Sequence, residues 1–98
     1  MDIRDLNIRT MAELKREYEA RNPNGMYFNK KSMEKLNAKI TARTVYGGRY
    51  FVEQVDGMYF VTEAYMARDT IRFTGTGRGF ATMDAARDAA KRLAGEAR

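Results

Sequence analysis

Between residues 40 and 74 the chain alternates apolar-aromatic runs with two-residue breaks: ITARTVY, GG, RYFVEQV, DG, MYFVTEAYMA, RD, TIRFT. Gly47-Gly48 and Asp56-Gly57 are pairs that accept the positive φ angles of tight type I′ hairpins. The pattern predicts a four-stranded antiparallel meander. Residues opposite one another in antiparallel strands share a face, so the three loops together fix a register. Two-residue loops at all three breaks set Tyr46 opposite Arg49, Thr44 opposite Phe51, Val55 opposite Met58, Glu53 opposite Phe60 and Val52 opposite Val61. The last loop sets Met66 opposite Ile71 and Ala64 opposite Phe73.

In that register one face collects Ile40, Ala42, Phe51, Val55, Met58, Phe60, Ala64, Met66, Ile71 and Phe73, with Glu53 and Thr62 as polar exceptions. This is the expected core. The other face carries Thr41, Arg43, Val45, Tyr50, Val52, Gln54, Tyr59, Val61, Glu63, Tyr65 and Arg72. Tyrosine and arginine dominate recognition surfaces, so Arg43, Tyr50, Tyr59, Tyr65 and Arg72 form the candidate contact surface for a protein or ribonucleoprotein partner. The plainer alternative stays open: cross-strand tyrosines shield the valines beside them.

The flanking segments read as helices. Residues 1–9, with Ile3, Leu6 and Ile8 among charges, are either an ordered arm or a frayed end. Thr10-Met11-Ala12-Glu13 fits a capping box at the start of a helix over 11–21 that places Met11, Leu14 and Tyr18 on one face. Asn22-Pro23-Asn24-Gly25 ends it. Asn29 can cap a second helix over 30–38, giving a helical region at 10–38. Lys30, Lys31 and Lys35 make a small basic patch there. After the sheet, Thr82 caps a last helix over 82–97, with Met83, Ala86, Ala90 and Leu93 as a narrow stripe suited to close approach.

Length fits one domain over residues 1–98. The balance of 18 Lys and Arg against 13 Asp and Glu gives a net charge of +5, which allows phosphate or acidic protein partners and excludes an acidic nucleic-acid mimic. With no Cys and no His, disulfides, ordinary zinc sites and imidazole catalysis are out of reach. No apolar run approaches the roughly 20 residues of a membrane span, and the N-terminus lacks a signal-peptide segment, so a cytoplasmic protein is expected. Gly75-Thr76-Gly77-Arg78-Gly79-Phe80 has the look of a phosphate loop. However, Phe80 stands where a dinucleotide fingerprint needs its third glycine, and no Lys-Ser/Thr pair follows. No catalytic set or metal cluster assembles; the expectation is a non-enzyme without cofactor.

Two resemblances follow from these motifs. FVTEAYMARDTIRFTGTGRG followed by DAARDAAKRL resembles the end of a double-stranded-RNA-binding domain, in which strands lead through G-x-G into an alanine-rich helix. Members of that family contact phosphates with a lysine-rich helix start. Here those positions are Met83 and Asp84, and only Arg87 is basic. The second resemblance rests on LKREYEARNPNGMYFNKKSMEKLNAKI, TVYGGRYFVEQVDG and GRGFATMDAARDAAKRLA, which are similar to short bacteriophage and prophage proteins. It implies a phage protein in the style of the anti-CRISPR inhibitors, which occupy a surface of a host machine such as a CRISPR effector.

The expectation is therefore an α+β domain: two N-terminal helices, a four-stranded antiparallel meander, and a C-terminal helix packed with the others on one sheet face. The leading function is a non-enzymatic phage-type inhibitor of host immunity that blocks nucleic-acid binding by a nuclease effector. The alternative is a small nucleic-acid-binding module using Lys30, Lys31, Lys35, Arg78, Arg87 and Lys91.

Overall fold

The computed structural model describes residues 2–25, 38–40 and 43–96, with the backbone alone for 38–40 and 96. The architecture is α+β. Helix α1 (Met11–Arg21) precedes an antiparallel sheet, and helix α2 (Met83–Glu96) follows it. Three strands carry most of the sheet: β2 (Tyr50–Val55), β3 (Met58–Ala67) and β4 (Thr70–Gly75). A three-residue β1 (Ala38–Ile40) lies along β2.

Two of the three turns follow the sequence. Val55 pairs with Met58 across Asp56-Gly57, whose φ angles of 51° and 81° are those of a type I′ loop. Ala67 pairs with Thr70 across Arg68-Asp69, again with a positive φ at the first loop residue. The expected pairs Glu53 with Phe60, Val52 with Val61, Met66 with Ile71 and Ala64 with Phe73 are all present.

The first turn differs. Tyr46 pairs with Tyr50, not with Arg49, and exchanges both backbone hydrogen bonds with it at 2.7 and 3.0 Å around a three-residue loop, Gly47-Gly48-Arg49. Gly47 and Gly48 both take positive φ, and a Cβ on Gly47 would stand 2.8 Å from the Cβ of Ala94 in α2. The stretch before the turn leaves the sheet altogether. Thr44 bridges to Thr10, the Met11 N–H donates to the Arg43 carbonyl at 2.8 Å, and the Val45 N–H donates to the Arg9 carbonyl at 2.9 Å. The extra loop residue inverts the side chains next to it, so Val45, expected on the tyrosine face, is buried on the opposite one. The first strand expected at 40–46 is thus corrected, and Ala38, expected in a helix, already belongs to β1. The rest of the helix expected over 30–38 lies outside the described residues.

The helices do not share a face, contrary to expectation. On one side α1 and the N-terminal arm cover Phe51, Ala64 and Ile71 with Ile3, Ile8, Leu14 and Tyr18. Tyr18 and Phe51 converge on Phe73, at ring-centre distances of 5.3 and 5.6 Å. On the other side α2 presses Ala86 and Ala90 onto Tyr50, Val52 and Val61. The reason is fit: an alanine stripe brings the helix backbone close to a surface of valines, while the larger Leu14 and Tyr18 fill the other side. The expected core face is also incompletely closed among the described residues, since Met58 is 39% exposed.

Local capping holds these elements in place. The Glu13 N–H donates to the Thr10 hydroxyl, which in turn donates to the Glu13 carboxylate, and the Ala85 N–H donates to the Thr82 hydroxyl. Asp2 opens a 3-10 turn, Ile3–Leu6, that delivers buried Ile3, and Ile8 follows it into the same cluster. Asn22, just past α1, uses both halves of its amide: Nδ2 donates to the Ile71 carbonyl at 3.0 Å and Oδ1 accepts from the Ile71 N–H at 3.1 Å. A side chain thus pairs with the outer edge of β4 as a strand would. Inside the sheet, buried Thr62 donates to the buried Glu53 carboxylate at 2.7 Å.

Candidate functional site

The tyrosine surface expected from the sequence is divided by α2. Tyr50 is buried beneath the helix, and Tyr59 is half-buried in the same cluster. Burial pushes the Tyr50 hydroxyl above the usual tyrosine range, helped by the Glu63 carboxylate. Tyr65 and Arg72 pair directly across β3 and β4 and are both exposed. Arg43 is exposed as well, but it sits on the segment that pairs with the N-terminal arm. The five residues therefore do not form one surface.

Of the alternative basic set, Lys30, Lys31 and Lys35 lie outside the described residues, whereas Arg78 lies on the chain between the sheet and α2, and Arg87 and Lys91 lie on α2 itself. The helix turns Met83, Ala86, Ala90 and Leu93 toward the sheet. Successive residues advance about 100°, which puts Arg87 and Lys91 on one flank and Ala89 and Arg92 on the other. Asp84 and Asp88 occupy the outward ridge of the first half only.

The flank bearing Arg92 faces the exit from the sheet, where the chain makes an unusual excursion. Thr76 is still held to the sheet, its N–H and its hydroxyl both donating to the Val61 carbonyl at 3.2 and 3.0 Å. Phe80 rejoins the sheet by exchanging both backbone hydrogen bonds with Tyr59, at 2.8 and 2.7 Å. Between these anchors Gly77-Arg78-Gly79 bulges outward. Gly77 has φ of 142°, a region closed to residues with a Cβ, and a Cβ on Gly79 would meet the Phe60 ring at 2.8 Å. Two required glycines and two anchors thus hold Arg78 out at one place. Below it lies a groove of about 250 Å³ lined by Thr76, Arg78, Phe80, Ala89, Arg92 and Leu93. Among the described residues neither Arg78 nor Arg92 forms an ion pair.

The opposite flank borders a second groove, of about 400 Å³, where Lys91 meets Arg4, Arg49 and Tyr46 beside the Gly47 turn. Arg49 stands 3.3 Å from Glu63 and 5.0 Å from the centre of the Tyr50 ring. Arg4 pairs with Asp2 at 2.9 Å, and hydrogen bonds from Arg4 hold the Asp2 carboxyl at about 2. Arg87 lies along this flank with a buried Nε that finds no hydrogen-bond partner among the described residues.

Sequence reasoning passed over Arg4, Arg49, Phe80 and Arg92. Arg92 forms no ion pair with Asp88, one turn before it. The legible signal was the arginine set between glycines in Gly77-Arg78-Gly79, where both glycines are needed only if the chain bulges. Among the described residues there is no group of three or more acidic, His or Cys side chains able to hold a metal ion. None of their helices is long and apolar enough to cross a membrane.

Comparison with protein-family models, curated proteins and solved structures finds no match for this chain. The likenesses to double-stranded-RNA-binding domains and to phage proteins therefore stand on their motifs alone.

Proposed function

We propose that the chain is a non-enzymatic binding module whose working surface is the cationic second half of α2, and that its ligand is the phosphate backbone of a nucleic acid. The observation that carries this reading is the Arg78–Arg92 groove, which two arginines line and in which, among the described residues, no carboxylate pairs with either. Like charges so placed repel, and an anion between them turns that repulsion into attraction. On the other flank Lys91 adds a further cation, beside Arg4 and Arg49, which are themselves paired with Asp2 and Glu63. The net charge of +5 acts in the same sense over longer range.

Fluorescence anisotropy of labelled nucleic acid titrated with the protein at several salt concentrations tests the reading. Each phosphate contact releases counterions, so affinity falls steeply with salt, and Arg78→Ala or Arg92→Ala each lowers the slope of log affinity on log salt by about 0.7 to 0.9. Absence of binding at low salt refutes it.

A second reading keeps the phage-type inhibitor of a nuclease effector, with its contact surface reduced to Tyr65 and Arg72. What favours it is their exposed cross-strand pairing, an aromatic-arginine combination common in contact hot spots. Addition of the purified protein to cleavage reactions of CRISPR effectors tests it. Inhibition that disappears in Tyr65→Ala with Arg72→Ala supports this surface, and inhibition untouched by both changes removes it.

A further inference from the structure

We infer that the Arg78–Arg92 groove takes an unstacked base of a single strand, so that the module selects single-stranded over duplex nucleic acid; this rests on the phosphate-binding reading above. Three properties of the groove lead there. First, its lining is not purely ionic: Phe80 and Leu93, with Ala89, give it an apolar wall, while the two arginines and the Thr76 hydroxyl give it a polar rim. A site for phosphate alone has no use for the wall, whereas a nucleotide presents a flat apolar ring with phosphates on either side of it. Second, its volume of about 250 Å³ lies below the roughly 300–1,000 Å³ of sites that enclose whole small-molecule ligands, and suits one planar ring. Third, the wall is held rigidly. Phe80 is tied to Tyr59 by two backbone hydrogen bonds and packs into the cluster beneath α2, and the bulge that carries Arg78 is anchored at both ends. A preformed wall costs little ordering on binding. Bases in a duplex are stacked and cannot enter such a recess, but those of a single strand can turn out onto an aromatic or guanidinium surface.

The occupant follows from charge. The two arginines disfavour a cationic or neutral apolar ligand at the rim, and Lys91 on the opposite flank of α2 offers the strand a further cationic contact beyond the base.

The test compares three labelled probes by anisotropy on the intact chain: oligothymidylate, the same strand with abasic sites, and a duplex of equal length. The expected result is that oligothymidylate binds at least about tenfold more tightly than either of the others, because the stacked base contributes to affinity only where it is present and free to turn out. Phe80→Leu, which keeps an apolar side chain in the cluster, brings the thymidylate-to-abasic ratio close to one while preserving the salt slope. Equal affinity for the abasic strand, or for the duplex, with the salt dependence intact overturns the base-binding inference and leaves phosphate binding standing. No binding of any probe at low salt overturns both. The probe comparison is made on the unaltered chain, so it decides the matter even where the Phe80 variant does not fold.

Discussion

Asn22 joins the end of α1 to the outer edge of β4, and its removal has a calculable cost. In Asn22→Ala the Ile71 N–H and carbonyl both lose the amide that pairs with them, at 3.1 and 3.0 Å in the native chain. Ile71 is 1% exposed, so water replaces the lost partners poorly. A net hydrogen bond is worth about 0.5–1.5 kcal/mol, and a buried group left unsatisfied costs about 1–3 kcal/mol. Asn22 itself is only half-buried, which lets some water in, and a loss of about 2 kcal/mol results. For a chain of this size about 1 kcal/mol corresponds to roughly 4–8 °C in Tm, so a fall of about 8–16 °C is expected. In urea the midpoint moves down by about 1 M. Asn22→Asp separates the two contacts: its carboxylate still accepts from the Ile71 N–H but repels the Ile71 carbonyl, giving a loss near that of the alanine variant at neutral pH. Circular dichroism melts and urea titrations read both. A change below about 0.5 kcal/mol for Asn22→Ala would show that the β4 edge is held by something other than this amide.

Other consequences can be checked with the same measurements. Gly79→Ala pushes a methyl group against Phe60 and costs about 1–3 kcal/mol, and nucleic-acid affinity falls with it because the bulge carrying Arg78 is displaced. Tyr59→Ala lowers stability by about 2 kcal/mol because Tyr59 belongs to the cluster under α2, whereas Tyr65→Ala on the exposed part of the same strand leaves Tm within a few degrees. Tyr50 is held protonated by burial, so its folded-state pKa lies above its unfolded one. Its share of stability is complete below the ordinary tyrosine pKa of about 10 and declines as pH rises through the folded value, a decline that Tyr50→Phe flattens. For Asp2 the sign is reversed: an NMR titration places its carboxyl midpoint near 2, and added salt moves it back toward ordinary values because the Arg4 pair is exposed.

The sequence was most informative where geometry is local. Asp56-Gly57 and Arg68-Asp69 name their own turns, and from them the pairings of β2 with β3 and of β3 with β4 follow residue by residue. The Thr10 and Thr82 caps were legible for the same reason. Gly47-Gly48 misled because a pair of glycines permits a two-residue loop without requiring one, and Arg49 entered the loop as its third residue. The face covered by α2 was harder still to read. Tyr50, Val52, Tyr59 and Val61 look like a half-solvated strand surface when the partner helix is counted by its small alanines instead of by how closely they let it approach. The candidate site lay beyond local reading altogether, since Arg78 and Arg92 come from segments that meet only after the sheet and α2 have packed.

A sheet clothed on both sides cannot tell its faces apart by greasiness alone. A strand displaced by one residue would exchange one apolar environment for another, so the energy gap separating the native pairing from its shifted rivals has to come from elsewhere. In this protein it comes from features that tolerate no displacement: the positive φ angles at Asp56, Gly57 and Arg68, and the diagonal bond between Thr62 and Glu53 in the dry interior. Sliding β2 against β3 would break the bond between that carboxylate and its hydroxyl partner. One polar pair, an apparent blemish in the interior, thereby acts as the chain's defence against misregistered folding.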